Sequence, residues 1–129
     1  MREIKINPSE GYPDITLNKE KGIFEISGIS MPINGKQFYQ PVFDFLDEYM
    51  EQPNTTTHFI FNLRYFNISS SKMILFILFK LQELEEKSLQ LFVTWCYANE
   101  DILEAGKDYE LMSKINFQFK KVPYQRIMK

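Results

Sequence analysis

Asn67-Ile68-Ser69-Ser70-Ser71-Lys72 puts three hydroxyls, a carboxamide and an ammonium into six residues. A serine in such a set could act as a nucleophile, accept a phosphoryl group or cap a helix. Ser69-x-x-Lys72 matches the nucleophile motif of penicillin-binding enzymes, but the companion Ser-Asp-Asn and Lys-Thr-Gly motifs are absent. With 129 residues, the chain is also too short for that fold. A Ser-His-Asp triad would have to use His58, the single histidine, which stands near the opposite end of the strand leading into this turn. There is no GxGxxG, and neither Gly35-Lys36 nor Gly106-Lys107 is followed by Ser or Thr, so no phosphate-cradling loop is expected. One cysteine, Cys96, excludes an internal disulfide and a multi-cysteine metal site; one histidine excludes two-histidine metal motifs. The residues point away from an enzyme, a metal and a cofactor.

Capping and phosphorylation fit the turn better. It lies where a strand gives way to a helix, and Ser69 is expected as N-cap, accepting from a backbone N–H of the first turn. Three successive serines exceed what one cap requires. A helix N-terminus favours anions, so a phosphate on Ser69 or Ser70 would be tolerated there, with Asn67, Ser71 and Lys72 as its neighbourhood. It would add about −1.5 to −2 charge.

The elements that position this turn can be read from periodicity. Ile15-Thr16-Leu17 and Ile23-Phe24-Glu25-Ile26-Ser27 predict a hairpin whose first strand is an edge. Residues 28–35 predict a loop. Phe38, Val42, Phe45, Leu46 and Tyr49 recur at helical spacing, opposite Asp44, Asp47, Glu48 and Glu51, from near Lys36 to Gln52-Pro53. Pro41 fits such a helix only in its first turn or two. The acidic stripe reads as a solvated face or as a surface for a basic partner. Thr57 to Leu63 reads as a central strand buried on both faces, and Arg64 to Ser70 as the turn out of it. A helix over about 70–87, a strand over 89–96, a helix over about 100–112 and a last strand over 115–119 follow. A tail with Lys120, Lys121, Arg126 and Lys129 is expected to be loose. The order ββαβαβα(β) predicts one α/β domain over 1–129, its core about 14–119, with a mixed sheet packed against helices.

On a helical wheel, Met73, Ile74, Ile77, Leu78, Leu81 and Leu84 fill one arc of about 140° that faces the sheet. Leu75, Phe76 and Phe79 fall on the polar side, close to the serines. Three apolar neighbours make a patch, covered by another element or used for a partner.

Twelve Phe, seven Tyr and one Trp make a core of large rings, with Phe76 and Phe79 as surplus. A net charge of −2 and a pI near 5.5 argue against nucleic-acid binding through general electrostatics. The N-terminus has no apolar signal core, and no apolar run approaches the roughly 20 residues of a membrane span, so a soluble cytoplasmic protein is expected.

Leu63 to Lys72, with the apolar helix after it, resembles the SiaC-like family of bacterial regulatory phosphoproteins and, more distantly, STAS domains, the anti-sigma factor antagonists. Gly28 to Asn34, Val93-Thr94-Trp95 and Ile102 to Phe119, with Glu104-Ala105-Gly106, add to the resemblance. It implies a STAS-like fold. It also implies phosphorylation at this turn by a dedicated serine/threonine kinase and removal of the phosphate by a PP2C-type phosphatase. The unphosphorylated form would bind and activate a diguanylate cyclase and so affect biofilm formation. The family motif reads Asn-Thr-Ser-Ser, with the threonine as acceptor, and here Ile68 takes that place. Either the acceptor moves to Ser69 or Ser70, with Ser69 favoured as neighbour of the lost position, or this chain is not phosphorylated. Three functions stay open: a phosphorylation-switched signalling module, a constitutive binding module using Leu75, Phe76 and Phe79, and a small-molecule site at the helix N-terminus.

Overall fold

Successive side chains of a strand point to opposite faces, so burial along each strand tells which face of a sheet is covered. In the computed structural model, which describes residues 1–123, the elements are β1 (Ile4–Ile6), β2 (Asp14–Asn18), β3 (Ile23–Ser30), α1 (Gly35–Tyr49), β4 (Thr56–Phe66), α2 (Ile68–Glu86), β5 (Gln90–Tyr97), α3 (Glu100–Ser113) and β6 (Phe117–Lys121). They form one six-stranded sheet in sequence order. β1, β2 and β3 pair antiparallel; β3, β4, β5 and β6 pair parallel. Each parallel crossover carries one helix and moves one place in the same direction. Right-handed crossovers of that kind put all three helices on one face. Burial agrees: Thr57, Phe59, Phe61 and Leu63 of β4 are buried, while His58 between them is exposed.

The mixed sheet and the alternation of strands and helices match the sequence expectation. Five local readings do not. Residues 28–30, expected to open a loop, continue β3 and pair with β4. β1 was not foreseen, because three residues carry no readable period; by pairing Ile4, Lys5 and Ile6 with Leu17, Thr16 and Ile15 it makes β2 an interior strand. β4 is central but covered on one face only, and half-buried Ile60 is the apolar residue that suggested otherwise. β4 also runs on to Phe66, so Arg64, Tyr65 and Phe66 are strand rather than turn. Lys120 and Lys121 belong to β6, and Val122 N–H still donates to Tyr97 C=O at 2.9 Å, so that part of the expected tail is held to the sheet. Arg126 and Lys129 lie outside the described residues. Pro41 sits in the second turn of α1, exposed, and the helix continues through it. Asp44, Asp47, Glu48 and Glu51 are all exposed, and Asp47 meets Lys80 of α2 at 2.7 Å.

β3 and β4 change register between Gly28 and Ile29: Gly28 pairs with Leu63, but Ile29 pairs with Tyr65. Gly28 takes φ +97°, which a side chain would resist. The slip reverses the phase of β4, so Phe66 turns toward the helices while Tyr65 is half exposed. Phe66 then meets the buried Trp95 ring edge-on at 6.2 Å. Trp95 is the hub of this half of the core, also touching Phe61, Tyr109 and Phe117. Its Nε1–H donates to Ile102 C=O at 2.8 Å. Gly106 lies flat on the indole, where a Cβ would stand 2.4 Å from Cδ1.

Gly106→Ala should therefore destabilise the fold by about 1–3 kcal/mol through overpacking, although alanine is the better helix former. Urea unfolding of the two proteins measures it.

Candidate functional site

β4 gives way to α2 across one residue. Asn67 stays extended (φ −86°, ψ 177°), and its Oδ1 accepts from Ser70 N–H at 2.9 Å, so Asn67 is the N-cap. Asparagine caps as well as serine does, and the strand's extension to Phe66 leaves it the residue at the boundary. Ser69, expected as the cap, instead stands in the first turn. Its Oγ reaches sideways and accepts from Gly35 N–H at 2.7 Å. Gly35 opens α1, which is capped the same way: Asn34 Oδ1 accepts from Gln37 N–H at 3.0 Å. Two helix N-termini thus lie side by side at the end of β3 and β4. Asn67 closes the joint from below, donating Nδ2–H to Pro32 C=O and its backbone N–H to Ser30 C=O, both at 3.0 Å.

Ser70 is fully buried. Its hydroxyl donates to Ser30 C=O at 3.0 Å and lies 2.7 Å from Ser30 Oγ, which lies 2.6 Å from Tyr39 Oη. Each hydroxyl has one proton, which fixes the direction. Ser70 gives its proton to the Ser30 carbonyl, Ser30 gives its own to Ser70 Oγ, and Tyr39 donates to Ser30 Oγ. No buried side-chain polar atom among the described residues is left without a partner. Burial pushes the Tyr39 phenol from an ordinary 10 up to about 12. Burial also raises Tyr109, whose hydroxyl donates to Ser71 C=O at 2.9 Å and ties α3 to the same turn. Ser71 Oγ–H donates back to Ile68 C=O at 2.7 Å, and Lys72 is exposed.

The turn also begins a stripe. Ile68 is 80% exposed, and Lys72, Phe76 and Phe79 are exposed along the same side of α2. At 100° per residue, Ile68, Lys72, Leu75, Phe76 and Phe79 fall within an arc of about 100° that runs roughly 16 Å along the helix. Leu75 differs from the other apolar members: it is half-buried and packs on the core. Phe76 and Phe79, the two surplus rings, remain 48% and 42% exposed. Across the joint, Ile33 is 97% exposed, so both caps are flanked by an isoleucine in water.

The structure thus brings Asn67, Ser69, Ser70 and Ser71 together, and separates them from His58, which pairs with Thr94 Oγ1 at 2.7 Å on the open face of the sheet. Ser30, Gly35, Tyr39 and Tyr109 were not foreseen as parts of the site. Asn34 before a helical period was a readable cap signal, whereas pairings of Ser30 with Ser70 cross forty residues and leave none. A shallow depression beside the turn is lined by Tyr12, Pro32, Ile33, Asn34, Gln37 and Phe38, not by Ser69, Ser70 or Asn67. Among the described residues no helix is long and apolar enough to cross a membrane.

Residues 6–122 match the family model described as SiaC family regulatory phosphoprotein. No curated protein matches significantly. The fold is similar to the crystal structure of apo-SiaC from Pseudomonas aeruginosa, with a TM-score of 0.83, 21% identity and coverage of 94% of this chain and 98% of that one. It is equally similar to SiaC in the crystal structure of the diguanylate cyclase SiaD in complex with its activator SiaC from the same organism, with a TM-score of 0.83, 21% identity and coverage of 92% and 99%. At that identity the likeness speaks for the fold.

Two outcomes follow from the joint. Asn67→Ala removes a cap and the bond to Pro32 and should cost about 2 kcal/mol in urea unfolding. The Tyr39 phenol is protonated in the fold up to about 12, but an unfolded chain loses that proton near 10. Stability should hold below pH 10 and fall as pH rises from there toward 12, with a shallower fall in Tyr39→Phe.

Proposed function

This chain belongs to the SiaC family of regulatory phosphoproteins, and on that premise we propose that it is a non-enzymatic cytoplasmic signalling module that works by contact at the turn 67–72 and the stripe after it. The carrying observation is the exposed line of Ile68, Phe76 and Phe79, which starts at the turn and ends two helical turns beyond Lys72. Rings held in water on one helix face are the composition of a contact surface rather than of a solvated one. The partner proposed is a diguanylate cyclase or a similar effector, so that the output is cyclic di-GMP and, through it, biofilm formation.

Ser69 is the proposed acceptor. It adjoins the position of the family threonine and is half-buried, whereas Ser70 is sealed in the core. A serine/threonine kinase would place the phosphate and a PP2C-type phosphatase would remove it. Added negative charge at the head of an apolar stripe would desolvate poorly against a partner, so the unmodified form is the binding form. Ile68 favours one rival, a constitutive binding module. An isoleucine 80% exposed at the position of the family acceptor adds apolar contact and takes away a hydroxyl.

Incubating the full chain with a serine/threonine kinase of the same genome and ATP, followed by phosphosite mapping, should find phosphate on Ser69. Phosphate absent from Ser69, Ser70 and Ser71 would leave the constitutive module. With the genome's diguanylate cyclases as probes, cyclic di-GMP synthesis should rise on adding the unmodified chain. Phe76→Asp and Phe79→Asp should each weaken that effect by about tenfold or more, the loss expected of a buried aromatic anchor. Wild-type activation by both variants would sink the stripe as the contact.

A further inference from the structure

We propose that the hydrogen bond from Gly35 N–H to Ser69 Oγ is a latch that covers the acceptor hydroxyl, and that a phosphate on Ser69 springs it and frees the head of α1. The latch stands on geometry alone; its use as a switch rests on the phosphorylation proposed above. Ser69 Oγ lies 2.7 Å from the Gly35 nitrogen. A Cβ on Gly35 would stand 2.4 Å from that Oγ and 2.8 Å from the Ser69 carbonyl oxygen. Real Cβ atoms do not come so close, so the two helix heads can meet this way only because residue 35 has no side chain.

The modified state turns on the same hydrogen bond. A kinase would transfer the γ-phosphoryl group of ATP to Ser69 Oγ. The new O–P bond forms as the bond to the departing ADP breaks, and the hydroxyl proton passes to the kinase's base. The oxygen becomes an ester oxygen, a weaker acceptor than the hydroxyl oxygen that now holds Gly35 N–H, and it carries a bulky charged group at the joint of two helix heads. The Gly35 amide then lets go of that oxygen. Release stays local, because the bonds beneath the latch are independent of it. Asn67 still holds Pro32 and Ser30, and the buried chain from Tyr39 through Ser30 to Ser70 still ties β3 to both helices. What moves is Ile33-Asn34-Gly35, and Ile33 is 97% exposed beside the stripe. The phosphate would thus alter the shape of the contact surface as well as its charge, and the kinase would act on the fraction of molecules whose latch is open.

Amide hydrogen exchange at residue 35, followed by NMR on the full chain, tests both halves. Ser69→Ala should speed exchange there by about tenfold, the effect of losing one hydrogen bond, while Ser69→Thr, which keeps the acceptor, should stay near wild type. Gly35→Ala forces the latch by a second route, should Ser69→Ala not fold, and should raise the rate of phosphorylation of Ser69. Phosphorylated wild type should exchange as fast as Ser69→Ala. Unchanged exchange in Ser69→Ala overturns the latch. Exchange in phospho-Ser69 protein as slow as in the unmodified chain overturns the switch, since the phosphate would then have taken the hydroxyl's place as acceptor. If neither wild type nor Gly35→Ala takes up phosphate, the switch falls together with the phosphorylation reading, and Ser69→Ala still judges the latch.

Discussion

Ser30 ends a central strand with a hydroxyl that has no path to water. A buried hydroxyl without a partner costs on the order of 1–3 kcal/mol, so the fold around it must supply one. It supplies two, Ser70 Oγ and Tyr39 Oη, from the heads of two different helices. Because Ser70 spends its single proton on the Ser30 carbonyl, the three hydroxyls can satisfy one another in only one order. That requirement fixes α1 and α2 against the end of β3, and it is why Ser69, next in the chain to Ser70, lands against Gly35. The geometry of the surface turn follows from a polar arrangement in the core below it.

The topology lets this joint matter at the surface. Three crossovers of one hand place all helices on one face of the sheet, with α2 between its neighbours, since β4 and β5 are interior strands. A helix in that place buries two flanks as well as its floor. Leu75 is drawn half into the core, and only a narrow outward ridge remains. A ridge of aspartates and lysines would be unremarked there. Ile68, Phe76 and Phe79 are costly to hold in water at roughly 25 cal/mol per Å² of apolar area, a cost that the proposed contact would recover. Lys80, paired with Asp47 and Glu83, marks where the ridge returns to ordinary charged surface.

Much of the scaffold was legible in the residues. Periods of two and of 3.6 located β3, both long helices and β5 within a few residues, and the order of elements implied a mixed sheet. The misplaced boundaries around the turn share one cause. Arg64 and Tyr65 look like turn residues in sequence, but a register slip beside Gly28 carries the ladder through them to Phe66. With the strand that long, the cap passes from Ser69 to Asn67. A local rule that serine caps helices was sound; the ladder from a strand thirty-five residues earlier decided which residue stood at the boundary. β1 was missed for the same kind of reason, since a three-residue strand exists only through its neighbour.

By itself, the sequence determined what could be read from composition and from short range: one mixed α/β domain, a serine-rich strand-to-helix turn, two phenylalanines beyond what a helix's buried face needs, and a single cysteine that cannot form an internal disulfide. Tertiary structure alone decided which hydroxyl does what. It buried Ser70 against Ser30 and Tyr39, turned Ser69 toward Gly35, and left Ile68 and Ile33 in water on either side of the joint. The physical reason is that hydrophobic periodicity repeats within an element and is visible there, whereas the pairing of a buried polar atom depends on what another element brings to within about 3 Å of it.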